Sequence, residues 1–160
     1  ITLTWGTSGA QAYCYPFEGG GCTNSATSIN FMSLANETIS LGGTRTEGDA
    51  FIDAVNNVVH EFGHAFASLW YHKGVYSQNG PYGSGQIPAN LLNERGFVIL
   101  DPPDELRWRQ HPGDTGPNEI FADMFLGWTY SVWDTNYREG LQRNLFMVTN
   151  MSEWVAKAAQ

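Results

Sequence analysis

The chain has 160 residues, 42% of them hydrophobic and 14% aromatic, enough for a single domain with a sizeable core spanning residues 1–160. Its net charge of −8 comes from 16 acids against 8 bases. Those bases are scattered, which argues against a nucleic-acid partner, and no apolar run approaches the roughly 18 residues of a membrane-spanning helix, which argues against a membrane partner.

The first residue is Ile1, so the sequence reads as one from which a leader or pro-segment has been removed, or as an excised domain. The two cysteines, Cys14 and Cys22, flank Tyr15-Pro16-Phe17-Glu18-Gly19-Gly20-Gly21. Pro and Gly let such a segment double back, so a short-loop disulfide is expected in preference to two buried thiols. A disulfide in turn implies a secreted or extracytoplasmic location. Residues 1–45 read as short strands and turns: Ile1–Trp5 alternates, Ser28–Leu34 does so in part, and Thr38–Leu41 ends at Gly42-Gly43.

A helix is expected from near Thr46, where Thr46-x-x-Asp49 resembles a capping box, to about His72, ending at Gly74. Within it lies His60-Glu61-Phe62-Gly63-His64, an HExxH motif. At about 100° per residue, positions i and i+4 lie roughly 40° apart, so both imidazoles can reach one metal ion. Glu61 leaves the helix at a different angle, from which it can hold a water and take its proton. On a helical wheel, Phe51, Val55, Val58, Val59, Phe62, Phe66 and Leu69 form a stripe opposite the histidine pair, read as the core side. Two ordinary core histidines belong inside such a stripe, which favours zinc.

Residues 74–96 read as a Gly-rich, polar loop bordering the cleft, and Phe97–Leu100 as a short strand before Asp101-Pro102-Pro103-Asp104. A second helix starts around Pro117 and continues to about Trp133. A catalytic zinc needs three protein ligands, and a third His at the close spacing fails because Ala67 and Trp70 occupy the required positions. Asn118-Glu119-Ile120-Phe121-Ala122-Asp123 is the strongest source: Glu119 and Asp123 lie about 40° apart, opposite Phe121, Phe125, Trp128 and Val132. Glu94, Glu105 and His111 compete with Glu119. A last helix carries Leu141, Leu145, Val148 and Val155 on one stripe and has a candidate break near Asn150.

His60–His64 together with Asn118–Asp123 resembles the gluzincin clan of thermolysin-like metallopeptidases, over these two segments only. The resemblance implies one catalytic Zn2+ held by His60, His64 and Glu119, with Asp123 accepting the outer N–H of His60. It also implies a Tyr or His beside the metal that stabilises the oxyanion, for which Tyr130, Tyr137 and His111 are candidates. An edge strand at the cleft rim, drawn from Ser28–Leu34 or Thr38–Leu41, would align an extended peptide.

The fold expected is α+β and zincin-like: a small, mostly antiparallel N-terminal sheet, the HExxH helix, the Glu-bearing helix and a C-terminal helix. The function expected is that of a monomeric zinc metalloendopeptidase acting on protein or peptide, with Glu61 as general base. Two rivals are a zinc-binding, inactive peptide-binding module and a zinc hydrolase of a non-peptide amide. The acid at Glu61 speaks against a purely structural zinc site.

Overall fold

The helix that carries HExxH, α1, spans Glu47–His72, close to the expected bounds. It belongs to a computed structural model that describes residues 2–5, 21–25, 28–31, 47–72, 87–98, 109–110 and 113–158, with side chains described over 55–67, 87–98, 109–110 and 113–156. Among the described residues, three short strands precede it: β1 (Thr2–Trp5), β2 (Gly21–Ser25) and β3 (Ser28–Phe31). After α1 come a 3-10 turn at Ala89–Leu91, then α2 (Pro117–Tyr130) and α3 (Arg138–Ala158).

The expected α+β class is corrected. Where side chains are described, 69% of residues are helical and none lies in a strand or sheet, so the packing around the site is helix on helix. The strands are only four or five residues long. They lie in the order β1-β3-β2, with β1–β3 parallel and β2–β3 antiparallel, and the register shifts between Thr23 and Ser25. The pairing is therefore mixed, not mostly antiparallel. Segments this short cannot supply a face that covers a 26-residue helix. Residues 28–31 form the central strand, paired on both sides, so that part of Ser28–Leu34 offers no free edge to a peptide. Thr38–Leu41 lies outside the described residues.

Along α1, the described residues of the apolar stripe are less deeply buried than the polar ones, although Phe66 packs against the main core. Val55, Val58, Val59, Phe62 and Phe66 are only half-buried, whereas Asn56, Asn57, His60 and Glu61 are buried. The wheel separates two faces without saying which one receives the next helix. Here α2 packs on α1, and Gly63 lies against the backbone of Ala122. The backbone of β2 and β3 also lies against α1.

Pro117 opens α2, where its missing N–H costs nothing, and Gly116 N–H donates to the Asp114 carboxylate at 2.7 Å. Ser131 closes the helix in the left-handed conformation (φ 54°), with its N–H and that of Val132 returning to Trp128 and Gly127. Helix α2 is buried along most of its circumference: Ile120, Phe121, Ala122, Asp123, Met124 and Leu126 are all inaccessible. Phe125 and Trp128 are partly buried against the same core.

Helix α3 runs unbroken through Asn150, whose side-chain amide donates to Phe146 O at 2.7 Å. Its expected stripe exists but faces outward, with Leu145 66% and Val148 59% exposed. The buried face is Gly140, Arg143, Met147, Met151 and Trp154, which shares a core with Leu91, Phe97 and Phe121. Arg143 is sequestered because its guanidinium donates to Leu91 O at 2.8 Å and Asn93 O at 2.5 Å and stacks over Phe97 at 4.1 Å. Burial, and then the neighbouring Arg109, push its pKa down to about 10. Gly96 (φ 81°) presses so closely on Gly140 that a Cβ on either would overlap backbone, which seats segment 87–98 against the start of α3. Phe97 and Val98 belong to no strand, and the rest of the expected Phe97–Leu100 strand lies outside the described residues. So does most of the loop expected at 74–96.

No helix among the described residues is long and apolar enough to cross a membrane.

Candidate metal centre

One turn apart on α1, His60 and His64 set their rings edge to face, with centroids 4.7 Å apart, and bring their Nε2 atoms to 3.1 Å. Helix α2 supplies the third corner. Glu119 Oε2 lies 3.2 Å from His60 Nε2 and 3.4 Å from His64 Nε2. For ligand bonds of about 2.0–2.1 Å, a tetrahedral zinc has ligand–ligand edges of about 3.3–3.4 Å. The triangle of 3.1, 3.2 and 3.4 Å therefore fits a single tetrahedral ion with one position left open. Glu61 is 2% exposed, and the ligand atoms of His60, Glu61 and His64 all lie within 4.8 Å of one another. Its carboxylate thus stands beside the triangle.

Behind the triangle, the fully buried Asp123 accepts the Nδ1–H of His60 at 2.8 Å. That bond fixes the imidazole orientation and leaves Nε2 facing Glu119 and His64. The same oxygen accepts Gln110 N–H at 3.1 Å, and the other oxygen accepts a guanidinium N–H of Arg109. Arg109 is itself buried and donates to Asp114 O at 2.5 Å and to Glu94 at 3.4 Å. Glu94 accepts Gly113 N–H at 2.5 Å.

Charge explains the arrangement without metal. Burial pushes the His60 pKa down, but Asp123, with Glu119 and Glu61 adding to it, raises it to about 9. Burial pushes the Glu119 carboxyl up, yet hydrogen bonds with His60 and His64 hold it well below the usual carboxylate range. Protonation of His60 would put positive charge among these acids, as a cation would.

The candidates named from the sequence thus separate into groups. His60, Glu61, His64, Glu119 and Asp123 converge. Glu94 is engaged by Arg109 and Gly113, and its link to the triangle runs through Arg109 and Asp123. Tyr130 is exposed at the far end of α2, eleven residues from Glu119, or roughly 16 Å of axial rise, so the helix carries it away from the triangle. Tyr137 is exposed in the turn before α3. Glu105, His111 and Cys14 lie outside the described residues, as does the Cys22 side chain; the backbone of Cys22 is part of β2.

Two contributors stand outside the residues singled out by spacing. Gly63 permits close approach of the two helices, and Arg109 pins Asp123. A buried Asp–His pair calls for a cation, and the chain has only 8 Lys and Arg to supply one. That scarcity is the signal the sequence offers for Arg109. No protein-family model, curated protein or solved structure matches this chain.

Proposed function

We propose that this protein is a zinc-dependent metallopeptidase in which His60, His64 and Glu119 hold one Zn2+ and Glu61 is the general base. The observation that carries the proposal is the ligand triangle, whose edges of 3.1–3.4 Å match a tetrahedral ion, with a buried acid beside it. Zinc held by two imidazoles and a carboxylate supplies Lewis acidity and makes water acidic enough to ionise near neutral pH.

The residues of the chain do the rest. Glu61 takes a proton from water onto a carboxylate oxygen and returns it to the leaving amine. Asp123 keeps the Nδ1–H of His60 engaged, so that Nε2 is presented as a ligand. Clan resemblance selects the peptide bond as the substrate, and the proposed Cys14–Cys22 bridge accompanies a secreted or extracytoplasmic location.

The test is zinc content by elemental analysis together with cleavage of a mixed protein substrate. Wild-type protein with about one zinc per chain that cleaves the mixture, with loss of cleavage in Glu61→Gln, supports the reading. Zinc without cleavage of any protein or peptide returns the assignment to an inactive binding module or a non-peptide amide hydrolase. Absence of bound zinc at neutral pH removes it.

A further inference from the structure

We infer that Arg109 is a positioning residue of this metal site: it locks the Asp123 carboxylate and, through it, the orientation of His60. The inference rests on the zinc reading and extends it to a residue outside both motifs.

The buried Asp123 carboxylate has two ends with different duties. One oxygen accepts His60 Nδ1–H and Gln110 N–H, and the other accepts Arg109. Rotation about the Cβ–Cγ bond would break the His60 contact, and the guanidinium on the opposite oxygen opposes that rotation. Arg109 is held in its turn by Asp114 O at 2.5 Å and by Glu94, which Gly113 N–H anchors at 2.5 Å. The Phe97 ring lies 5.1 Å below the guanidinium. A planar fork can serve Asp123 with one nitrogen and Asp114 with the other; a lysine ammonium is a point charge without that geometry. The relay Glu94–Arg109–Asp123–His60 therefore joins three described segments, 87–98, 109–110 and α2, to α1. Outer partners of a ligating imidazole typically change metal affinity 10–100-fold.

A merely structural role for Arg109 would also lower stability, so the test reads coupling between sites. Zinc affinity is measured by competition with a chromophoric chelator for wild type, Arg109→Met, Arg109→Lys, Asp123→Ala and the Arg109→Met/Asp123→Ala double variant. Visible spectra of the cobalt-substituted proteins and melting of the metal-free forms accompany it. The expected result is a roughly 10–100-fold loss for Arg109→Met at unchanged stoichiometry, with an altered cobalt spectrum. Arg109→Lys should recover part of that loss. In the Asp123→Ala background, Arg109→Met should have little further effect, because its route to the metal is already cut.

Three results would overturn the inference: wild-type affinity in Arg109→Met, full additivity in the double variant, or Arg109→Lys no better than Arg109→Met. If Arg109→Met does not fold, Arg109→Gln, which can still donate to Asp114 O, takes its place under the same criteria. A wild-type protein that takes up no zinc would instead defeat the underlying reading and the inference with it.

Discussion

Gly63 of α1 and Ala122 of α2 meet backbone to backbone: a Cβ on Gly63 would stand 2.9 Å from Ala122 Cα and 3.0 Å from the Phe125 Cβ. These two small residues set the spacing at which Glu119 reaches the imidazoles of His60 and His64.

Gly63→Ala should therefore destabilise the protein despite the better helix propensity of alanine. Propensity favours Ala by about 1 kcal/mol, whereas overpacking of this kind costs about 1–3 kcal/mol. The overlap is with backbone, which cannot rotate aside. Zinc affinity should fall with stability, because α2 moves away from the histidines. Urea unfolding and zinc competition check both; a more stable variant with normal zinc affinity would show that the two helices have slack.

Glu61→Gln should abolish hydrolysis and leave about one zinc per chain, since the amide replaces the base without removing a ligand. Elemental analysis and a turnover assay on the same preparation decide it. Substantial residual activity would exclude Glu61 as the base, and loss of metal would make it a ligand.

Spacing explains which parts of this site are legible in the sequence. His60 and His64 converge because i and i+4 share a helix face, and Asp123 follows Glu119 by the same step. Burial is not legible from the wheel. Val58, Val59 and Phe62 are half-buried while Asn56, His60 and Glu61 are buried, because α2 packs on the polar side and the polar groups satisfy one another. The outward stripe of α3 has a similar cause: Arg143 turns inward to cap Leu91 O and Asn93 O, leaving Leu145 and Val148 outside. Arg109 reaches Asp123 from a segment with no periodicity, so nothing local marks it. The parallel β1–β3 pairing joins residues some 26 positions apart, which alternation within a strand cannot reveal.

Metal-free protein should be most stable in mildly acidic solution. The His60 pKa is raised in the fold, from 6.5 to about 9, so its contribution is fully present below about 6.5 and is lost as pH rises through 9. Glu119 is shifted the other way, so its contribution is present above the ordinary carboxylate value of 4.5 and declines in more acid solution. Zinc should reverse the alkaline side, because it needs neutral imidazoles and replaces the His60 proton. Uptake of one zinc near pH 7.5 should release about one proton from His60, read by calorimetry in buffers of different ionisation enthalpy. Melting curves across pH with and without zinc should show the optimum move upward; an unmoved optimum and no proton release would sink the idea.

Cys14 and Cys22 should be joined in the native protein. Mass measurement after alkylation, with and without reductant, reads the pairing directly. Loss of the bridge should cost about 2–3 kcal/mol, as expected for a short closed loop, and leave zinc stoichiometry unchanged. Two thiols that alkylate freely before reduction would remove the main support for an oxidising compartment.

The third ligand is the most discriminating element of the site. Glu119→Ala should lose zinc at neutral pH, because two imidazoles and water hold the ion poorly. Asp123→Ala should retain zinc at saturation with roughly 10–100-fold weaker affinity, since it removes orientation and not a bond to the metal. Glu94→Ala should keep wild-type stoichiometry: its carboxylate is engaged by Arg109 and Gly113, so its effect passes through Arg109, Asp123 and His60 before reaching the metal. Glu105→Ala and His111→Ala should also keep normal zinc content if Glu119 closes the triangle. Zinc stoichiometry across these five variants separates the possibilities. Loss of metal in Asp123→Ala with retention in Glu119→Ala would make the ligand an aspartate and end the gluzincin resemblance. Loss in His111→Ala would mean a three-histidine site with α2 only as its scaffold. Glu119 is the expected answer because its Oε2 stands within 3.4 Å of both Nε2 atoms, with its helix held against α1 at Gly63.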